Sequence, residues 1–166
     1  ILIQRNDILK YDNHNSLINF LLVRLFYFYF IMEVEELYRI FLKHPQIITD
    51  SRKVVEDSIF FALKGENFDG NQYAKDALKF CKYAVVDDPK VVKDKNRFIL
   101  VENSLKMLQQ LAEYHRKQLH IPVIALTGTN GKTTTKELIQ AILKKKFKTR
   151  ATAGNYNNHI GVPLTI

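Results

Sequence analysis

The sequence predicts an α/β protein: a small N-terminal α/β domain, then the first strand, loop and helix of a second domain with a mainly parallel sheet. Three observations predict it. Between Glu33 and Val101, short apolar runs rich in β-branched and aromatic residues alternate with stretches of helical periodicity, the pattern of strands and helices packed in layers. Leu105, Leu108, Leu111, Ala112, His115 and Leu119 then recur at helical spacing. Finally, Val123 to Thr135 reads V-I-A-L-T-G-T-N-G-K-T-T-T, an apolar run leading through glycines into a second helical pattern.

Composition bounds the rest. The 166 residues suffice for one domain, or one domain and part of another. Hydrophobic residues make up 46% and charged residues 25%, which allows a globular core. Cys81, the single cysteine, rules out an internal disulfide and fits a reducing compartment such as the cytoplasm. The net charge of +8 points to anionic partners. Nucleic acid is not expected among them, because no aromatic–basic interleaving or nucleic-acid motif is present. Part of the excess is local: Lys144, Lys145, Lys146, Lys148 and Arg150 cluster where they would offset a helix dipole.

Residues 1–31 read as an upstream extension to the working protein. The chain opens with Ile1, and its first methionine is Met32. Leu17 to Ile31 is apolar, but it holds 15 residues with Arg24 among them, short of the ~20 that a spanning helix needs. No stable membrane insertion is expected; an interfacial anchor is the alternative reading. No small-residue cleavage site follows, which speaks against a signal peptide.

Residues 32–119 hold the first domain. Glu33 to Lys43 is a helix with Val34, Leu37, Ile40 and Phe41 on one side, ended by Pro45. Ile47 to Thr49, Ile59 to Leu63, Tyr83 to Val86 and Arg97 to Val101 are strands, with a turn at Phe68 to Asn71 and a helix from Tyr73 to Phe80. Ser104 is the expected N-cap of the helix that runs to Leu119. His115 lies near its apolar stripe and reads as a packed or surface residue, not a ligand. His120-Ile121-Pro122 breaks the helix, so the second domain spans 120–166. In it, Val123 to Leu126 is expected as a buried parallel strand, Thr133 to Lys146 as a helix with Leu138, Ile139, Ile142 and Leu143 on one face, and Lys148 to Ala153 as a second strand.

The loop between the first of these strands and its helix carries the chemistry. Gly128 and Gly131 permit a tight turn and close approach to a ligand. The backbone of Gly128, Thr129, Asn130 and Gly131, with Thr134 at the helix start, can cradle phosphate, and the helix N-terminus faces it with free N–H groups and a positive dipole. Lys132 supplies a point charge and Thr133 a hydroxyl for a magnesium ion. The strict P-loop pattern has a further glycine where this chain has Leu126. A bare Gly-Lys-Thr would equally suit a turn before a surface helix; the flanking strand and helix favour phosphate.

The shortened loop T-G-T-N-G-K-T-T resembles the ATP-binding loop of the Mur ligases, and folylpolyglutamate synthetases have a similar one. The stretch G-N-Y-N-N-H-I-G-V-P-L-T-I from Gly154 to Ile166 is similar to the family member that adds D-Ala-D-Ala to UDP-N-acetylmuramoyl-tripeptide. Asp50-Ser51-Arg52 and F-F-A-L-K-G-E-N-F-D-G-N from Phe60 to Asn71 resemble its N-terminal domain. The resemblance implies an ATP- and Mg2+-dependent ligase of the cytoplasm, a monomer, that forms an acyl phosphate and then an amide during peptidoglycan synthesis. It implies catalytic roles for Lys132 and Thr133, with Thr133 on the metal. It places Ser51, Arg52, Lys64 and Gly65, then Asp69, Gly70 and Asn71, near the UDP-muramoyl group, and Asn155, Asn157, Asn158 and His159 on the substrate side of the cleft. Taken alone, Asp69-Gly70 equally suits a tight turn, and an Asn-rich loop is ordinary turn chemistry. Asp57-Ser58 stands where the family usually has Gly-Asp, and Cys81-Lys82 where it often has Gly-Ala. The resemblance also implies a longer protein than these residues, inactive without the remainder. Two other readings stay open: a different Mur or folate-tail ligase, and a non-catalytic nucleotide-binding module.

Overall fold

The architecture follows from runs of residues that have only apolar side chains to offer either face of a sheet. In chain order the strands are β1 (Ile47–Ile48), β2 (Ile59–Phe61), β3 (Lys64–Gly65), β4 (Phe68–Asp69), β5 (Tyr83–Val86) and β6 (Phe98–Leu100). The helices are α1 (Val34–Lys43), α2 (Ala74–Ala77), α3 (Ser104–Gln118) and α4 (Lys132–Leu143). The structure, a computed structural model, describes residues 31–154 and 156–166. The expected extension over residues 1–31 falls outside that description except for Ile31, and Asn155 falls outside it too.

Strands β1, β2, β5 and β6 form one parallel sheet in that order, with Ile47 opposite Ile59, Phe60 opposite Ala84 and Val85 opposite Ile99. Side chains alternate between its faces. Ile59, Phe61, Leu63, Val85, Ile99 and Val101 point to one side, where Leu37 of α1 and Met107, Leu108 and Leu111 of α3 cover them. Phe60, Ala62, Ala84, Val86 and Phe98 point to the other, against Ala74, Ala77, Leu78 and Cys81. Phe60 and Phe61 are fully buried, each worth about 1.5–3 kcal/mol against exposure. Arg97 ties α2 to the sheet: its Nη2 donates to the carbonyl of the C-cap Leu78 (2.5 Å), which the helix leaves without a partner, and to that of Cys81 in the bend beyond it (2.6 Å).

Local chemistry fixes the connections. Asp57 has φ 62°, the left-handed region in which a glycine would sit most easily. Aspartate is among the few other residues that tolerate it, and the Asp57 carboxylate is held 2.6 Å from His44 Nδ1. The turn therefore keeps a conformation suited to glycine without the glycine. His115 is packed, as expected: its Nδ1 shares a 3.1 Å hydrogen bond with the Tyr38 hydroxyl, and the Phe41 ring meets it edge-on.

Several expectations need correction. The cap of α3 is Asn103, whose Oδ1 accepts the Lys106 N–H at 2.8 Å; Ser104 is the first helical residue, with its hydroxyl buried and unpartnered. The segment expected as a turn at Phe68 to Asn71 begins as strand β4, paired antiparallel with β3, and continues as a 3-10 turn over Gly70–Tyr73. That turn takes Tyr73 from the helix expected over Tyr73 to Phe80, and Leu78 to Phe80 continue as turn, so α2 is a single turn. Val123 to Leu126 and Lys148 to Ala153 are not strands. A parallel strand satisfies its backbone only through neighbours, and no described strand lies beside either segment. Val123 and Ile124 stand more than half exposed, as do Leu138 and Ile142 on α4, and no residue of α4 is buried. Residues 160–164 instead fold back on the sheet, where Ile160 and Leu164 pack against the α1–α3 core. No helix among the described residues is long and apolar enough to cross a membrane.

Candidate nucleotide and substrate sites

Parallel strands place all their carboxyl ends on one edge of the sheet, which in open α/β sheets is where ligands bind. Here that edge carries the Asp50–Lys53 segment after β1, Lys64 beyond β2, Asp87 after β5 and the start of α3 after β6.

Ser51 and Arg52 lie in a 3-10 turn capped by Asp50, which accepts the Arg52 N–H at 3.1 Å. The Arg52 guanidinium grips the same carboxylate with two bonds of 2.9 Å, from Nε and Nη2. The side-chain bond from Arg52, then its backbone N–H, lowers the Asp50 carboxyl to about 2. Arg52 is itself widely exposed, so the pair presents a guanidinium to solvent in one fixed orientation.

Lys64 Nζ lies 2.9 Å from Asp87 Oδ1. This side-chain bond is the main cause that raises the lysine's pKa. Gly65 faces open space. The next three candidates serve the fold. Asp69 Oδ1 accepts the Asn71 N–H (3.0 Å) and amide (2.8 Å). Gly70 is buried tightly enough that a Cβ would sit 2.6 Å from the Leu63 carbonyl oxygen. Asn71 is buried, donates also to Asp87 Oδ1 at 2.8 Å and accepts the Asp87 N–H at 3.1 Å. Asp87 directly follows the strand expected over Tyr83 to Val86 and has no role in the sequence reading. Its position at the carboxyl end of a parallel strand was the signal that marked it, but sequence does not pair it with Lys64.

In the second segment, Gly128 has φ 149° and Gly131 φ 77°, backbone that a residue with a Cβ adopts only with strain. Gly131 caps α4, and the Thr135 N–H makes the first bond back to it at 2.9 Å. The N–H groups of Lys132, Thr133 and Thr134 thus precede the helical ladder and are free for an anion. Lys132 Nζ folds over the loop and donates to the carbonyls of Gly128 and, at 3.3 Å, Thr129. Thr129, Asn130 and Thr133 are exposed. These features fit a phosphate group: unbonded donors, a dipole end and a cation over the same turn. Thr133 is the metal-binding candidate here; no group of three or more His, Cys, Asp or Glu that could hold an ion occurs among the described residues.

Lys136, which sequence reasoning passed over, donates to the carbonyls of Thr152 (2.7 Å) and Gly154 (2.8 Å) and fastens α4 to the segment after it. Asn157 and His159 are exposed, while Asn158 Oδ1 accepts the N–H groups of Ile160 (3.1 Å) and Gly161 (2.7 Å) and shapes the turn. A cavity of about 590 Å³ lies elsewhere, lined by Phe41, Ile47, Leu108, His115, Arg150 and Leu164 among others.

Comparison with known proteins accounts for both segments. The Mur ligase family catalytic-domain model matches residues 45–116, and the Mur ligase middle-domain model matches 126–166. The chain belongs to the Mur ligase family. Among its relatives, the UDP-N-acetylmuramoyl-tripeptide–D-alanyl-D-alanine ligase of Bacillus subtilis is 43% identical over 122 residues, 72% of this chain and 27% of that one. The Escherichia coli ligase of the same name is 39% identical over 120 residues, 72% of this chain and 26% of its own length. The chain thus spans about a quarter of the Mur ligases it matches. Among solved structures, MurF from Acinetobacter baumannii superposes with a TM-score of 0.67 at 39% identity, covering 74% of this chain and 27% of that one. The MurF ligase of Thermotoga maritima, solved in complex with ADP, gives 0.61 at 34% identity, covering 72% and 28%.

Proposed function

We propose that these residues serve an ATP-dependent ligase that joins D-Ala-D-Ala to UDP-N-acetylmuramoyl-tripeptide through an acyl phosphate, in cytoplasmic peptidoglycan precursor synthesis. The observation that carries this reading is the glycine loop at the start of α4, with Lys132 closed over it, in a chain 43% identical to a ligase of that name. Residues 32–119 act as the UDP-muramoyl-binding domain, with α3 as connector, and 120–166 as the start of the ATP-binding domain of a monomeric enzyme.

ATP supplies the phosphoryl group, and Mg2+, when bound, neutralises its oxygens. Phosphoryl transfer asks a protein for position and charge more than for covalent chemistry. The Thr129, Asn130 and Gly131 backbone and the unbonded N–H groups at the start of α4 orient the phosphates. Lys132 exchanges its carbonyl partners for phosphate oxygens, which are stronger, charged acceptors. Thr133 offers its hydroxyl to the metal. At the sheet edge, Ser51, Arg52, Lys64 and Gly65 receive the anionic UDP end, with Asp69, Gly70 and Asn71 holding that edge in shape. Asn155, Asn157, Asn158 and His159 contribute to the substrate side of the cleft.

Titration of the 166-residue chain with a fluorescent ADP analogue tests the loop. Lys132→Ala weakens binding by about tenfold or more, the worth of one charge-assisted contact. Equal affinity in the two proteins would refute the loop assignment.

A further inference from the structure

We propose that Asp87 is a positioning residue that holds the Lys64 ammonium at the carboxyl edge of the sheet, so that the lysine meets the diphosphate of a uridine nucleotide in a fixed place. This rests on the reading that Lys64 belongs to the UDP end of the site.

Asp87 is nearly buried, its side chain 8% exposed, and a carboxylate in such a position needs partners for its lone pairs. It has them from three elements. Asn71 Nδ2 and Lys64 Nζ donate to Oδ1, and the Ser104 N–H donates to Oδ2 at 3.1 Å. Ser104 opens α3, a helix of 15 residues, so the positive end of its dipole faces the same carboxylate. Burial pushes the Asp87 carboxyl up, but the bonds from Lys64, Asn71 and Ser104 outweigh it and hold it below the ordinary range.

The geometry gives the lysine a definite task. An ammonium has three donors; one is spent on Asp87, and the half-exposed side chain has two left for solvent or ligand. Asp87 is satisfied by Asn71 and Ser104 as well, so its charge does not depend on Lys64 alone. The flexible stem of a free surface lysine would have to be ordered on binding, at a cost in entropy that a tethered one has already met. The neighbouring Gly65 offers open space beside it.

The test is UDP binding to the 166-residue chain, measured by calorimetry for wild type, Lys64→Ala, Asp87→Asn and the double variant, with unfolding curves for each. The expected result is about a tenfold loss for each single variant and no further loss for the double, since both remove one interaction. Tighter binding by Asp87→Asn would overturn the inference, because Asp87 would then be competing with the ligand for the lysine. Binding sensitive to Lys64 and indifferent to Asp87 would overturn this inference alone. Indifference to Lys64→Ala would overturn the underlying placement and the inference with it. Should Asp87→Asn not fold, amide NMR of the wild-type chain gives the answer: the Lys64, Asp87 and Ser104 signals move together on adding UDP, and stationary Asp87 and Ser104 signals beside a moving Lys64 would overturn it.

Discussion

Gly70→Ala and Gly65→Ala separate a glycine the fold needs from one it leaves open. At Gly70 an added Cβ lies 2.6 Å from the Leu63 carbonyl oxygen and 2.8 Å from the Ala62 carbonyl carbon and the Leu63 nitrogen. All three are backbone atoms at the end of β2, where Ala62 N–H donates to Val85 and Gly70 N–H donates to Leu63, each at 2.9 Å. Ordinary contact begins at 3.4 Å, so the methyl forces these segments apart by most of an ångström and strains the Gly70–Leu63 bond. Overpacking costs about 1–3 kcal/mol and a weakened hydrogen bond about 1 kcal/mol. The sum, about 3 kcal/mol, lowers Tm by roughly 10 °C for a unit of this size. At Gly65 a Cβ meets nothing within 4 Å, and the change stays within about 0.5 kcal/mol. Thermal and urea unfolding followed by circular dichroism read both. Equal stability of Gly70→Ala and wild type would refute the packing argument.

Two further predictions concern the partly buried His115 and the buried Cys81. Burial lowers the His115 pKa below 6.5, so the unfolded chain takes up the proton first as pH falls. His115 therefore contributes stability that is complete above 6.5 and is lost as pH drops through that value toward the folded pKa; urea midpoints fall over this range in wild type and fall less in His115→Gln. Burial also raises the Cys81 thiol, which is 2% exposed. A disulfide reagent such as DTNB then reacts with it only as the protein unfolds, and prompt reaction of the folded chain would contradict the placement.

The four strands of the parallel sheet were legible because each is a short β-branched or aromatic run, and they pair in chain order once the β3–β4 hairpin is set aside. The hairpin of β3 and β4 was not, since Lys64 to Asp69 shows no alternation of apolar and polar residues and its pairing depends on the Gly70 contact with Leu63. Val123 to Leu126 shows the converse failure. An apolar run reports a wish to be buried, and it becomes a strand only beside another strand. The glycine loop was legible because φ-permissive residues, Lys132 and the helix start are adjacent in the chain. The Asp87 cluster was hidden because its members come from β3, the 3-10 turn after β4, the end of β5 and α3, and only the fold brings them together.

The central claim is that Lys132 and its loop serve an ATP-dependent amide ligase. The most direct test expresses the protein from its gene, with whatever sequence flanks these residues, and follows ADP release and amide formation from UDP-N-acetylmuramoyl-tripeptide, D-Ala-D-Ala and ATP with Mg2+. The account predicts one ADP per amide in wild type and loss of turnover in Lys132→Ala, with the unfolding curve unchanged because, among the described residues, the ammonium bonds to its own exposed loop. Wild-type turnover in Lys132→Ala, or no amide formed by the wild-type protein, would contradict it.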